Sequence, residues 1–148
     1  MKFIAALLAT TLLAPTAFAQ EAAAPELPPI PATEVVLSDF LWLKRPVVVF
    51  ADSPNDPAFQ TQLLNLAEDP GELLKRDVVI LTDSDPSQAS DARQRLRPRG
   101  FSMVLIDKDG AVKLRKPLPW SVREIIHAID KFPLRQQELR DQRAQESR

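Results

Sequence analysis

Three aspartates follow two apolar segments, at positions where α/β folds usually place their chemistry. Asp52 comes directly after the segment 47–51, and Asp83 and Asp85 follow the segment 77–82. If these segments are neighbouring parallel strands, their carboxyl ends meet at one edge of the sheet and bring the three carboxylates together. Oxygen ligands of this kind suit Mg²⁺ or Ca²⁺, and crowded carboxylates acquire raised pKa values that suit acid–base catalysis. This pattern predicts an oxygen-ligand, metal-dependent hydrolase or transferase, although capping and turn formation also explain aspartates at such positions.

The sequence offers little for other catalytic chemistries. Neither Ser53 nor Ser84 lies in a Gly-x-Ser-x-Gly elbow. The only histidine, His127, falls off the apolar face of its predicted helix, so we expect its side chain to be exposed. The chain has no cysteine, which excludes thiol redox chemistry and cysteine-ligated zinc. We therefore assign no catalytic residue and no cofactor from the sequence.

A basic segment follows an acidic one. Residues 52–91 contain nine acidic and two basic side chains, whereas residues 91–116 contain three acidic and eight basic ones. The residues predicted to form a basic binding surface are Arg93, Arg95, Arg97, Arg99, Lys113 and Arg115. Such a surface attracts an anionic glycan or an acidic protein; the plainer interpretation is a solvated face that complements a helix dipole. Nucleic acid is not expected as a partner, because aromatic residues are not interleaved with the arginines.

The first 19 residues have the pattern of a signal peptide. Lys2 precedes an apolar stretch at 3–13 that is too short to span a bilayer, and Ala17-Phe18-Ala19 is a typical cleavage site. We expect cleavage after Ala19, a mature chain without a membrane span, and a periplasmic or secreted location. The alternative is a retained N-terminal anchor. The mature chain would carry 18 basic and 20 acidic residues, a net charge of −2, which gives no general attraction to nucleic acid or acidic lipid.

The rest of the chain divides into three parts. Residues 20–34 are predicted to be a linker rich in proline and alanine, 35–133 a folded domain, and 134–148 a charged tail that forms a frayed or exposed helix. The domain has the element order β-α-β-α-β-β-α, which predicts a four-stranded mixed sheet with flanking helices. Predicted helices begin at Asp56-Pro57, Asp85-Pro86 and Ser121, and a short helix lies within 35–43. Trp42 is expected to cover the core beside that short helix.

Several segments resemble a known family. The stretches Val-Val-Val-Phe-Ala at 47–51, Asp-Val-Val-Ile-Leu-Thr-Asp at 77–83, Arg-Leu-Arg-Pro-Arg-Gly-Phe at 95–101 and Leu-Ile-Asp-Lys-Asp-Gly at 105–110 are similar to the bacterial domain-of-unknown-function family 4174, over about residues 36–138. The resemblance implies a thioredoxin-like fold related to a domain of animal extracellular-matrix proteins of the Dro1 and sushi-repeat type. It implies no catalytic residues, since none are established for the family. The chain departs from working thioredoxins because it lacks Cys-x-x-Cys after the first strand, and because Ser102 or a neighbour replaces their cis-proline.

Together these observations predict an exported, cysteine-free, thioredoxin-like α/β domain that binds a partner and is not an enzyme. The expected partner is an unidentified protein or an anionic glycan. The metal-dependent enzyme that uses Asp52, Asp83 and Asp85 is the alternative.

Overall fold

Two apolar strands form the centre of the sheet. The computed structural model describes residues 22–148, so the predicted signal peptide lies outside the described residues. The strands within this part are β1 (Ile30–Pro31), β2 (Arg45–Phe50), β3 (Val78–Asp83), β4 (Ser102–Ile106) and β5 (Val112–Lys116). Their order in the sheet is β1-β3-β2-β4-β5. Strands β1, β2 and β3 are parallel, and β4 and β5 continue the sheet as an antiparallel hairpin.

Five helices connect or follow these strands in the described part of the chain. They are α1 (Pro57–Ala67), α2 (Pro70–Leu74), α3 (Asp91–Leu96), α4 (Val122–Asp130) and α5 (Pro133–Glu146). The predicted caps at two of them are confirmed. The carboxylate of Asp56 accepts the backbone N–H of Ala58 and Phe59 at the start of α1, and Ser121 forms a capping box with Glu124 at the start of α4.

Helices cover both faces of the sheet, as the predicted α/β class requires. On the first face, α1, α2 and α4 pack on alternate residues of the strands, with Leu66, Leu73 and Ile125 buried among them. On the second face, Leu96 of the short α3 and Ala32 of the segment before β2 are buried against the strands. From β2 onwards, the order of the strands and the mixed character of the sheet agree with the prediction from the sequence.

The predicted count of four strands is wrong for this part of the chain. Ile30 and Pro31, in the expected linker 20–34, pair in parallel with Leu81 and Thr82 of β3 and form a fifth strand. Ala32 follows and is almost fully buried. The outer edge of β3 offers unpaired backbone groups, and proline is tolerated on an edge strand because its missing N–H is not needed there.

Two local helix predictions are also corrected. The short helix within 35–43 is the 3₁₀ turn Leu37–Phe40 and not an α-helix, and the carboxylate of Asp39 accepts the backbone N–H of Val36. Asp85-Pro86 starts another 3₁₀ turn, Pro86–Gln88, and Ala89 then takes a left-handed conformation with φ 44°. Helix α3 therefore begins later, where the Ser90 hydroxyl accepts the backbone N–H of Arg93. A residue in the left-handed region cannot continue a right-handed helix, which explains the break.

Trp42 does not cover the core. Its side chain is 66% exposed and its backbone has a φ of 63°, with its N–H donated to the carbonyl oxygen of Lys108 at 2.7 Å. The turn that carries it thus points a large apolar side chain outward from a fixed backbone.

The C-terminal helix is held to the domain by charges. Arg45, fully buried at the start of β2, donates from Nε to Asp107 at 2.8 Å and from Nη2 to Glu138 of α5 at 3.0 Å. Glu138 also pairs with Lys108 at 2.8 Å and with Arg135 at 3.1 Å. The expected helix in 134–148 is present, and its first turns dock through this ion-pair network. Its last residues, 140–148, are exposed as predicted.

Candidate anion-binding site

The carboxyl ends of β2 and β3 lie side by side, as the sequence predicts. Phe50 and Asp83 are register partners, and Ser102 at the start of the antiparallel β4 lies opposite Phe50. The end of β2, the end of β3 and the start of β4 therefore meet at one edge of the sheet. The predicted aspartates and several of the predicted arginines lie at or near this edge.

Asp83 is engaged by its own chain. Its carboxylate accepts hydrogen bonds from Arg93 Nη2 at 2.9 Å, from Ser90 Oγ at 2.6 Å and from the backbone N–H of Asp85 at 3.2 Å. Burial opposes its ionisation, but the hydrogen bonds from Arg93 and Ser90 outweigh burial and hold the pKa of Asp83 below its ordinary value. A carboxylate with these partners is charged and neutralised, so it is poorly suited to bind a cation.

The other two aspartates do not complete a metal site with it. The carboxylate of Asp85 accepts hydrogen bonds from the hydroxyl and the backbone N–H of Ser87. These bonds, the one from the hydroxyl most of all, lower the pKa of Asp85. Asp52 is exposed. Residues 22–148 contain no group of three histidine, cysteine or acidic side chains arranged to hold a metal ion. The geometry therefore does not favour the predicted metal-dependent hydrolase or transferase.

The predicted basic surface is divided by the fold. Arg93 is not a surface cation, because its Nη2 also donates to the carbonyl oxygens of Ala51 at 3.0 Å and Asp83 at 3.2 Å. Arg95 is exposed and pairs with Asp91 at 2.7 Å. Lys113 lies over the ring of Phe132, at 5.7 Å from its centroid. These three predicted residues thus do not join one binding surface.

A β-bulge in the pairing of β4 with β5 changes the face of the sheet on which the side chains of β5 lie. Leu114 pairs with Leu105 and packs on the first face of the sheet, whereas Val112 pairs with Ile106 on the second face. Strand β5 therefore does not bury Val112 and Leu114 on one face, as a regular alternation would. The irregular pairing inserts one extra residue, which shifts the side-chain alternation. Arg115 pairs with Val104 and consequently lies on the second face.

The remaining three predicted arginines line one depression, which we call the arginine pocket. It has a volume of about 340 Å³ and is lined by Arg97, Arg99, Phe101, Ser102, Arg115 and Pro117. Arg97 ends α3 in a left-handed conformation with φ 47°, and its N–H is donated to the carbonyl oxygen of Arg93 at 2.9 Å. Gly100, with φ 57°, then turns the chain into β4.

The charges of the arginine pocket are not neutralised by the described part of the chain. None of Arg97, Arg99 and Arg115 belongs to the ion pairs formed among residues 22–148. Planar guanidinium groups bind carboxylate, sulfate and phosphate groups through paired N–H donors. The pocket is therefore suited to an anionic group, with Phe101 and Pro117 available to contact an apolar part of the same ligand.

The serine and histidine candidates do not form a catalytic arrangement. Ser53 Oγ accepts the backbone N–H of Asn55 at 3.1 Å and stabilises the turn after β2. His127 is exposed on α4, as expected.

Sequence reasoning missed one buried polar side chain that organises the first face. Gln62 of α1 is fully buried, and its amide donates to the carbonyl oxygen of Trp120 and accepts the N–H of the same residue, both at 2.8 Å. This pair of bonds holds the segment that leads into α4. A glutamine at a core position of an otherwise apolar helix face is the sequence signal for such a role.

Comparisons with known proteins identify the family and the fold. A family model described as "Domain of unknown function (DUF4174)" matches residues 36–138. The chain is 30% identical to coiled-coil domain-containing protein 80 of Danio rerio, and the match covers 72% of this chain but only 16% of that protein. The chain thus spans about a sixth of the length of this relative.

Two solved structures have similar folds. The crystal structure of chloroplastic thioredoxin z has a TM-score of 0.54 at 18% identity, covering 74% of this chain and 96% of that one. The reduced 2-Cys peroxiredoxin of Plasmodium vivax has a TM-score of 0.52 at 16% identity, covering 64% of this chain and 80% of that one. These similarities show that the fold is thioredoxin-like, as predicted. Within residues 22–148, no helix is long and apolar enough to cross a membrane.

Proposed function

We propose that this chain, which belongs to the DUF4174 family and has a thioredoxin-like fold, is a non-catalytic binding domain that acts outside the cytoplasm. It holds an anionic group of its partner in the arginine pocket. The observation that carries this proposal is the convergence of Arg97, Arg99 and Arg115, unpaired among the described residues, on one depression.

The absence of suitable catalytic groups at the edge of the sheet supports a binding role. The chain has no cysteine, so it cannot perform the thiol chemistry that the names of its peroxiredoxin neighbours indicate for those proteins. The buried carboxylate of Asp83 pairs with Arg93 and fixes its position. Arg93 in turn fixes the carbonyl oxygen of Ala51 at the end of β2. This edge is therefore stabilised by internal ion pairing.

The chemistry of the arginine pocket defines the partner by its anionic group. A sulfated or carboxylated glycan and an acidic protein segment both present groups that accept paired N–H donors. Association through exposed charges of this kind weakens as the salt concentration rises. Location outside the cytoplasm rests on the predicted signal peptide at 1–19.

Binding of heparin and of poly-glutamate to the full chain tests the proposal. Heparin represents an anionic glycan and poly-glutamate an acidic protein segment, so the preferred probe shows which of the two the pocket binds. The variant Arg97→Gln/Arg99→Gln/Arg115→Gln is expected to lose at least about tenfold in affinity for the preferred probe, because each exposed ion pair contributes up to about 1 kcal/mol. The matched control, Arg123→Gln/Lys131→Gln/Arg140→Gln, removes the same charge from exposed positions on α4, at its end and on α5.

The two triple variants decide whether the arginine pocket is the site. A loss confined to the pocket variant supports it. Equal losses in both would show that only net charge matters, and binding of neither probe by the unmodified chain would contradict the proposal.

Location is tested by expressing the full chain in a Gram-negative host, where the extracytoplasmic fraction is expected to contain a protein that begins at Gln20. Retention of residues 1–19 in the cytoplasm would contradict that part.

A further inference from the structure

A second depression lies on the same face of the sheet, towards the other end of β4. It has a volume of about 440 Å³ and opens between the 3₁₀ turn Leu37–Phe40, the end of α3 and the turn that joins β4 to β5. We call it the apolar groove; its apolar lining includes Leu37, Phe40, Leu41, Leu96, Ile106 and Val112. The arginine pocket adjoins the start of β4, and the apolar groove adjoins its end. The two sites are therefore distinct.

The short length of α3 leaves this part of the sheet open. Helix α3 has six residues and covers the central strands through Ala92 and Leu96, while Val112 on the edge strand remains 46% exposed. On the opposite wall, Leu41 is 42% exposed. Apolar side chains left open in a concave site lower their free energy when a ligand removes them from water.

The wall that carries Leu41 is firmly placed. The N–H of Trp42 is donated to the carbonyl oxygen of Lys108, and the backbone of Trp42 is held in the left-handed conformation. Leu41 also lies so close to the turn of the hairpin that a Cβ added at Gly110 would come within 2.9 Å of its Cδ2 atom. Because these contacts join the segment before β2 to the β4–β5 turn, the groove exists before any ligand arrives.

The exposed charges at the groove are positive. Lys44 lines it, is exposed, and takes part in none of the ion pairs among residues 22–148. Arg95 also lines it and donates from Nε to Asp91, and its terminal nitrogens have no hydrogen-bond partner among residues 22–148. The one acidic lining residue, Asp107, is buried; its Oδ1 pairs with Arg45, and its Oδ2 has no hydrogen-bond partner among residues 22–148. The groove thus combines apolar walls with a cationic rim.

We propose that the apolar groove binds a medium-chain aliphatic carboxylate, with the alkyl tail between Leu41 and Val112 and the carboxylate at Lys44 and Arg95. The volume of about 440 Å³ lies within the range of small-molecule sites, roughly 300–1,000 Å³. The cationic rim complements the carboxylate, and the apolar walls complement the tail. This site lies apart from the arginine pocket and extends the proposed function with a second ligand class.

Calorimetric titration of the full chain at low ionic strength tests the proposal with three probes that share a ten-carbon tail. These are decanoate, below its micelle-forming concentration, 1-decanol and decyltrimethylammonium. Decanoate is expected to bind about fivefold more tightly than decanol, the value of one exposed ion pair, and decyltrimethylammonium most weakly. Equal affinity for decanoate and decanol, or no binding of decanoate, would overturn the proposal.

Four variants locate the ligand. Val112→Glu, which places a negative charge on the groove wall, should abolish decanoate binding. Leu64→Glu makes the same kind of change at a 71% exposed leucine on α1 and should have no effect. Lys44→Gln should remove most of the preference for decanoate over decanol and keep decanol binding.

The triple arginine-pocket variant is the fourth. It is expected to bind decanoate as the unmodified chain does, so the two proposed sites can fail separately. Unchanged decanoate binding by Val112→Glu would overturn the placement, as would loss of binding in the arginine-pocket variant. Binding of a decapeptide of alternating leucine and glutamate, with none of decanoate, would assign the groove to a protein partner and overturn the proposal as well.

Discussion

Replacement of Glu138 by glutamine tests the ion-pair network that holds α5 to the domain. The Glu138 carboxylate forms ion pairs with Arg45 at 3.0 Å, with Lys108 at 2.8 Å and with Arg135 at 3.1 Å. Burial opposes its ionisation, but the hydrogen bonds from these three cations outweigh burial and lower its pKa to about 2 from an ordinary value of 4.5. The charged form is therefore strongly favoured in the folded chain.

The lowered pKa sets an upper limit on the stability that this charge contributes. The difference from the ordinary pKa corresponds to about 3 kcal/mol at most. Since the side chain is 24% exposed, solvent screening reduces the expected contribution to about 2 kcal/mol. For a chain of this size, that loss lowers the melting temperature by roughly 4–8 °C.

The pH dependence has a defined sign. A carboxyl group with a lowered pKa in the folded state stabilises the fold above its unfolded pKa and loses that effect as the pH falls through the folded value. The loss of stability in Glu138→Gln, relative to the unmodified chain, is therefore expected to be complete at pH 7 and to disappear as the pH falls from about 4.5 to about 2.

Thermal unfolding followed by circular dichroism, at pH 7 and at several acidic pH values, measures this deficit. Glu146→Gln is the matched control, because it makes the same change at an exposed position of α5 outside the network. Equal melting temperatures of the two variants at pH 7 would refute the reasoning. A deficit of Glu138→Gln that persists undiminished at the lowest pH would also refute it, because that loss would not come from the charge.

Three further substitutions test other parts of the structure by thermal or urea unfolding. Asp83→Asn should destabilise the chain by about 3 kcal/mol at pH 7, because it leaves Arg93 partly buried without its charge partner; a cost below about 0.5 kcal/mol would show that the pair is not important. Gln62→Leu should cost about 2 kcal/mol, since the N–H of Trp120 loses its partner and its carbonyl oxygen keeps only the hydrogen bond from Asn65, and an unchanged stability would contradict that role. Gly110→Ala should destabilise more than Gly100→Ala although both have positive φ, because only at Gly110 would the new Cβ clash, 2.9 Å from Leu41 Cδ2; the opposite order would show that the hairpin turn yields easily.

The sequence was most informative where a local rule acts alone. The apolar runs at 47–51 and 78–81 predict central strands because their side chains are apolar on both faces. Asp56-Pro57 predicts the start of α1 because a capping side chain and a proline in the first turn act within a few residues of each other. The β1 strand at Ile30–Pro31 was missed because a two-residue edge strand has no periodicity and depends on the free edge of β3.

The candidate site shows the limit of sequence reasoning more sharply. A charge pattern identifies a basic segment but cannot assign partners, because partner choice depends on which distant residues the fold brings near. Arg93 and Arg97 are four residues apart, yet Arg93 is committed to Asp83 while Arg97 faces the arginine pocket. No local signal separates them.

The sequence by itself determined the α/β class, the order of the strands β2 to β5 and the absence of thiol chemistry, because these follow from composition and from patterns within single elements. Only the tertiary structure decided that Asp83 neutralises Arg93, that a bulge in the β4–β5 pairing separates Lys113 from Arg115, and that Glu138 reaches the buried Arg45. Each of these outcomes depends on register and on contacts between residues far apart in the chain. Those contacts determine which charged side chains form ion pairs and on which face of the sheet each side chain lies. The candidate binding surface consists of the arginines that have no ion-pair partner among the described residues.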